Sequence, residues 1–295
     1  MKVGIDLGGS HVAIGIVDED GKILEHFEKD FTVEEKKNIL PVVEKYISYE
    51  MENIKQKYNI DKVGMAVPGT IKNGVIIKSV NLGIENYNIG ERLSYLVGLP
   101  FVIKNDAKCA ALGEYKYYLK DEMKNVLFLT LGTGIGGAYI YNGNLLEGNM
   151  FEGYEYGHMI IKENGIPCKC GKSGCFERYG SILSFKQKVQ ERLNLPDNIS
   201  GPDLRAEIAK CEEKVYDLQE NYINDVSLGL SNLINIFEPD AVILGGGFAR
   251  FDYMFLDRIK HKLLNSNLVF NKRDDIDIRV AKLGNDAGII GASCL

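Results

Sequence analysis

Residues 3–17 read Val3-Gly-Ile-Asp6-Leu7-Gly8-Gly9-Ser10-His11-Val12-Ala-Ile-Gly-Ile-Val17. Two apolar runs flank a glycine-rich break, the pattern of a β-hairpin. Asp18-Glu-Asp-Gly21 is a second turn before Lys22-Ile-Leu24, so residues 2–27 form a hairpin or meander. Glycines at 8 and 9 let main-chain N–H groups come close to an anion, and the acid just before them, Asp6, can hold Mg2+ through water. A plain glycine-rich hairpin would read the same way on this stretch alone. The design recurs about 123 residues later. Val126-Leu-Phe-Leu-Thr130 is a strand, Gly132-Thr133-Gly134-Ile-Gly136-Gly137 a turn, and Ala138-Tyr-Ile-Tyr141 a returning strand. Asn142-Gly143 is a tight hairpin signal ahead of Asn144-Leu-Leu146.

A second echo supports duplication. Phe101-Val-Ile-Lys-Asn105-Asp106-Ala107 is a strand entering a small-residue helix that runs to Glu114. Near the end, residues 278–284 lead to Asn285-Asp286-Ala287 and another small-residue helix, about 180 residues on. The two offsets differ by roughly 57 residues, so the second half carries an insertion of about that size. Two similar α/β lobes are expected, 1–116 and 117–295, with the last helix (about 285–295) a candidate to pack back on the first lobe. Between these landmarks, residues 36–58 have a helical apolar period and residues 62–67 are a buried strand ending in Pro68-Gly69. A second hairpin follows at 70–77, then a polar loop, Asn81-Leu-Gly83. Helices are expected over 89–97, 181–193, 201–210 and 213–236. A strand at 239–244 breaks into Gly245-Gly246-Gly247. That glycine run either lets an adenosine lie against the backbone or makes a tight strand-to-helix turn.

A Cys/His loop and the helical stretch after it lie inside the interval that carries the insertion; the loop reads Glu155-Tyr-Gly-His158, then Pro167-Cys168-Lys-Cys170-Gly171-Lys-Ser-Gly174-Cys175-Phe-Glu177. Three thiols and an imidazole within eighteen residues match the ligand set of a structural zinc, with no position left open for water. A cluster of buried thiols or a disulfide is the alternative. Gly171 and Gly174 permit the tight turn that brings the sulfurs together. Glu155 and Glu177 stand at the ends of this loop, which a metal would hold rigid.

Glu-x-Gly-His followed by Cys-x-Cys-Gly-x-x-Gly-Cys-x-Glu resembles the signature of the ROK family of bacterial sugar kinases and sugar-responsive repressors. The resemblance covers the whole chain, with its motifs in order. It implies a two-lobe actin-like ATPase (ribonuclease H-like) fold with a zinc-binding loop inserted in the second lobe. It also implies ATP-dependent phosphorylation of a hexose at its 6-hydroxyl. Asn105-Asp106-Ala107 matches the place of the catalytic aspartate and the sugar-contacting asparagine before it. An ionised aspartate at a strand end can accept the hydroxyl proton in phosphoryl transfer, and capping the helix is its alternative role. Glu155, His158 and Glu177 match positions that bind pyranose hydroxyls, and Gly69 and Asn81 are sugar-side contacts by the same resemblance. His158, Cys168, Cys170 and Cys175 match the metal ligands. Asp6, Gly8, Gly9 and Ser10 match the first phosphate motif, Gly132, Thr133, Gly134 and Gly136 the second, and Gly245, Gly246 and Gly247 the adenosine motif. ATP, Mg2+ and a structural Zn2+ are the implied cofactors, and a homo-oligomer (dimer or tetramer) the implied assembly.

The pattern departs from the family at several places. His11 stands where Lys or Asn is common, Gly153-Tyr154 replaces Ala-Gly, Met150-Phe151 is bulky, and the loop after Gly83 lacks a tryptophan. These changes lie near the sugar side and bear on which hexose binds. Glucose is expected first, because Glu155, His158 and Glu177 offer acceptors for several equatorial hydroxyls. N-acetylmannosamine, N-acetylglucosamine, fructose and allose are the alternatives, and polyphosphate is an alternative donor. A repressor would carry a helix-turn-helix ahead of Val3, and a silent sugar sensor would not need Asp106. The net charge of −6 gives no nucleic-acid footprint, and no apolar run is long enough to span a membrane. No signal-peptide layout precedes Val3, so a cytoplasmic protein is expected, with Cys109, Cys211 and Cys294 as free thiols.

Overall fold

The chain opens with β1 (Lys2–Leu7), β2 (His11–Val17) and β3 (Ile23–Asp30), paired antiparallel in sequence order. The computed structural model describes residues 1–149, 153–270 and 277–295; Met150 and Phe151 lie outside the described residues. β2 is buried over nearly its whole length, whereas β3 alternates half-buried and exposed residues, as an edge strand with one wet face does. α1 (Ile39–Lys57) buries Ile39, Val43, Ile47, Met51 and Ile54, one stripe at helical spacing. β4 (Val63–Val67) is wholly buried and runs parallel to β1. β5 (Thr70–Lys72), β6 (Val75–Ser79) and β7 (Ile84–Tyr87) form a small antiparallel sheet. α2 (Ile89–Val97) begins where the Asn88 side chain accepts the Glu91 N–H and ends at left-handed Gly98. β8 (Phe101–Asn105) lies parallel to β4 and leads directly into α3 (Asp106–Glu114).

The second half repeats the plan. β9 (Val126–Leu131), β10 (Ile135–Tyr141) and β11 (Asn144–Leu145) come first. The Cys/His loop ends in a single turn, α4 (Glu177–Gly180), followed by α5 (Ile182–Leu193), α6 (Gly201–Lys210) and the long α7 (Glu212–Phe237). β12 (Ala241–Gly245), α8 (Asp252–Asn265), β13 (Ile278–Val280) and α9 (Ala287–Ala292) complete the described elements. The two five-stranded sheets have orders β3-β2-β1-β4-β8 and β11-β10-β9-β12-β13. β12 is parallel to both β9 and β13, as β4 is to β1 and β8. The expected duplication is therefore present in the strand order itself. β7 and α8 lie in stretches for which the sequence pattern predicts no strand or helix.

The chain divides into two compact units, one of residues 1–124, 138–154 and 282–295, the other of residues 125–137 and 155–281. In the first unit, aliphatic side chains of β1, β2, β4 and α1 form the core. α9 lies against β1, β4 and α3 so closely that a methyl group on Gly4 would collide with the Ile289 carbonyl, and one on Gly64 with that of Ala292. Glycine is required there by close backbone approach. The core of the second unit contains an aromatic cluster: Phe185 meets Tyr222 and Phe255 with ring centroids 5.2 and 5.1 Å apart. Among the described residues no helix is long and apolar enough to cross a membrane.

Candidate active site

In the first unit, three parallel strands end at one edge of the sheet. Asp6 of β1 pairs with Ala66 of β4, and Val67 with Asn105 of β8. Asp6, Gly69 and Asn105-Asp106 are thus brought together at the carboxyl ends of the strands, where ligands bind in open α/β sheets. Asn105 is the cap of α3: its side-chain oxygen accepts from the N–H groups of Ala107 and Lys108, at 3.0 and 3.3 Å. Its amide donates to the Gly69 carbonyl at 3.0 Å, tying β8 to the loop after β4. Asp106 also accepts the Ala107 N–H, at 2.9 Å, while its side chain is exposed. The capping role weighed for Asp106 is therefore shared with Asn105.

The first glycine turn is closed by Gly8 N–H donating to the His11 carbonyl at 2.9 Å. Gly9 lies beside Asn81, whose carbonyl would stand 3.4 Å from a β-carbon added at Gly9. Ser10 Oγ and His11 Nδ1 are 3.1 Å apart, and His11 Nε2 is 4.0 Å from Glu28. The Asp6 carboxyl is pushed up to about 6, first by burial and then by the negative charge of Asp106, with His11 opposing. Two carboxylates that feel each other at a strand edge make a natural seat for a cation.

In the second unit, the glycine turn after β9 and the glycine run after β12 are neighbours. Gly245 pairs with Thr130, and the Gly247 nitrogen would lie 3.8 Å from a β-carbon at Gly132. Gly132 donates to the Gly134 carbonyl and accepts the Leu183 N–H, at 2.9 and 3.0 Å. Thr133 is exposed at the tip and Gly136 lies within β10, while Gly246 takes a left-handed φ of 69°. Glu177 reaches this turn: its Oε2 accepts the Ile135 N–H at 3.1 Å and abuts Gly134, where a side chain would collide with it.

The Cys/His loop folds back on itself. Ile160 bridges Cys175 and Pro167 bridges Ser173. Gly171 and Gly174 both have positive φ, 89° and 82°, as the tight turn requires. Donor atoms of His158, Cys168, Cys170 and Cys175 lie within 4.8 Å of one another. Cys170 and Cys175 sulfurs are 3.5 Å apart, too far for a disulfide, and Cys168 Sγ is 3.7 Å from His158 Nδ1. Burial pushes the Cys175 thiol up to about 12, whereas the Lys172 N–H holds Cys170 below its ordinary value. Cys168 Sγ also lies 4.0 Å from Glu177 Oε1, so one carboxylate touches both the thiol cluster and the glycine turn. Glu155 is exposed, and its carbonyl accepts the His158 N–H at 3.0 Å. Tyr179 braces the loop by accepting the Ile166 N–H at 2.6 Å. Nothing in its sequence context marks it; only the fold does.

The ROK family model matches residues 2–295. The chain belongs to the ROK family. This ROK chain is 30% identical over 313 aligned residues to a glucokinase of Streptomyces coelicolor, covering 100% of the chain and 97% of that protein. It is similar to the solved ROK glucokinase of Streptomyces griseus in complex with glucose and AMPPNP, with a TM-score of 0.80 and 28% identity, covering 99% and 97% of the two chains. A putative N-acetylmannosamine kinase from Listeria monocytogenes gives a TM-score of 0.81 at 27% identity, with the same coverage. The mixed α/β architecture with these neighbours is consistent with an actin-like ATPase fold.

Proposed function

We propose that this ROK protein is a sugar kinase that transfers the γ-phosphoryl group of ATP to the 6-hydroxyl of a hexose, with glucose the first choice. The observation that carries this reading is the exposed Asp106, placed at the end of β8 at the same sheet edge as Asp6. Asp106 accepts the proton of the attacking hydroxyl as the bond to phosphorus forms. Asn105 fixes it by capping α3 and anchoring Gly69. Asp6 would hold Mg2+ through water; a divalent cation there would favour the ionised carboxyl that burial alone disfavours. N–H groups of the two glycine turns receive phosphate oxygens, and Gly245–Gly247 face the adenosine. Asn81, Glu155, His158 and Glu177 hydrogen-bond the sugar hydroxyls. The two sheets of matching order support the actin-like assignment.

The Cys/His cluster suits a structural Zn2+. In a tetrahedron of thiolate and imidazole ligands the donor atoms stand about 3.5–3.8 Å apart, and the separations of 3.5 and 3.7 Å lie within that range. His158, Cys168, Cys170 and Cys175 would hold the ion, whose contribution is to cross-link the loop that carries Glu155 and Glu177. N-acetylmannosamine is the second substrate reading, favoured by the likeness to the Listeria protein.

The test is ADP release with Mg-ATP over glucose, mannose, fructose, N-acetylmannosamine, N-acetylglucosamine and allose. Turnover on one sugar, reduced on the order of a thousandfold in Asp106→Asn with unchanged melting temperature, is the expected outcome. Absence of sugar-dependent turnover would sink the kinase reading; full activity in Asp106→Asn would remove the base from Asp106.

A further inference from the structure

α7 carries a row of residues at helical spacing, Asp225, Gly229 and Asn232, and each receives a different part of the Cys/His segment. Asp225, 5% exposed, pairs with Lys162 at 2.7 Å. The same lysine ammonium lies 4.4 Å from the centroid of the Tyr179 ring, and the Lys162 carbonyl packs against Gly174 so tightly that a side chain there would collide with it. Gly229 faces the ring of Phe176, which is fully buried; a methyl group on Gly229 would overlap the ring edge. Asn232 lies with its amide 3.9 Å from the sulfur of Met159. At the end of the helix, Phe237 meets Tyr156 edge-on, with centroids 5.9 Å apart.

Phe176 stands between Cys175 and Glu177 in the chain, and Met159 follows His158. Phe176 N–H donates to the Met159 carbonyl at 2.7 Å, so the two ends of the loop are stitched together at the point where they rest on α7. Movement of the Phe176 ring would carry the Glu177 carboxylate with it. A glycine in the middle of a 26-residue helix is unfavourable relative to alanine unless something occupies the space. Here Phe176 occupies it.

We infer that Gly229 and Asp225 of α7 are positioning residues of the sugar site: they fix the Cys/His loop through Phe176 and Lys162, and thereby set where Glu177 and His158 meet the substrate. The inference rests on the kinase reading for its kinetic consequence but not for its structural one. The test therefore has two readouts, hydrogen exchange of the amides in residues 158–177 and the KM values for sugar and ATP. The variants are Gly229→Ala, Asp225→Asn, Phe176→Leu and the pair Gly229→Ala with Phe176→Leu.

Gly229→Ala is expected to speed exchange in residues 158–177 and raise the sugar KM on the order of tenfold, with the ATP KM changed by less than about threefold. Asp225→Asn should act in the same direction and more weakly. Adding Phe176→Leu to Gly229→Ala should restore both slow exchange and the sugar KM, because the shorter side chain makes room for the new methyl group. Unchanged exchange and KM in Gly229→Ala would overturn the inference, as would a loss spread over all parameters that Phe176→Leu does not rescue. Wild-type protein without sugar-dependent turnover would refute the kinase reading and leave the exchange data to decide the positioning role.

Discussion

At the turn after β1 the acid is the strand's own: Asp6 precedes Gly8 and Gly9 with only Leu7 between. At the matching turn after β9 the strand ends Leu129-Thr130-Leu131, and the carboxylate is supplied by Glu177, 42 residues beyond the N–H it bonds, on Ile135. The sheets beneath the two turns have the same strand order, so a duplicated scaffold holds one built-in acid and one imported by an insertion. The first is held by burial beside a second aspartate. The second depends on a loop whose own geometry depends on a thiol cluster and on α7. The two turns should therefore fail in different ways when perturbed.

The largest contrast is expected from Gly134→Ala. Its new methyl group would occupy the place of the Glu177 carboxylate and break the bond to Ile135. A shift of that carboxylate by about 1 Å should lower kcat/KM on the order of a hundredfold, read by ADP release. Asp6→Asn comes next and separates stability from activity. The folded-state value of about 6 lies above the ordinary 3.8, so the native state binds more protons than the unfolded state between those values. Stability of the metal-free, nucleotide-free protein should fall as pH rises from about 4 to 6, a penalty of up to about 3 kcal/mol that remains at neutral pH. Asp6→Asn should lack this slope in urea titrations at several pH values and be the more stable protein at pH 7, while losing turnover. A wild-type stability flat across that window would show that Asp6 is not strained by its surroundings. The smallest effect is expected at Gly8→Ala, where the new methyl group would lie 3.5 Å from the His11 ring, an ordinary contact. Less than about 1 kcal/mol in melting experiments would fit; a larger loss would erase the distinction between the two turns.

Much of this contrast is legible in the chain itself. The duplicated strands are readable because each is a short apolar run closed by glycine, and the Cys/His loop because its donors lie within eighteen residues. α8 escaped because only Phe255, Ile259 and Leu263 of its fourteen residues are buried and no side chain caps its start. β7 escaped because Ile84 is its one buried residue. The Glu177–Ile135 bond and the seating of Phe176 on Gly229 are long-range facts, and no local period encodes them. Asp106 shows the middle case. Its place at a strand end is a local matter, but the neighbouring charge of Asp6 is set by strand pairing.

The fit of α9 against Gly4 and Gly64 has a bearing on how the protein is made. β1 and β4 leave the ribosome early, yet the helix that covers them is encoded in residues 287–292. The first unit cannot finish folding until residues 282–295 emerge, after the whole of residues 155–281 has been synthesised. At ordinary elongation rates that delay is on the order of ten seconds. During it, the glycine-lined face of β1 and β4 stands open on the nascent chain while the second unit is still being synthesised. Chaperone binding during synthesis should therefore concentrate on the N-terminal strands, although they are the first part of the protein to be translated.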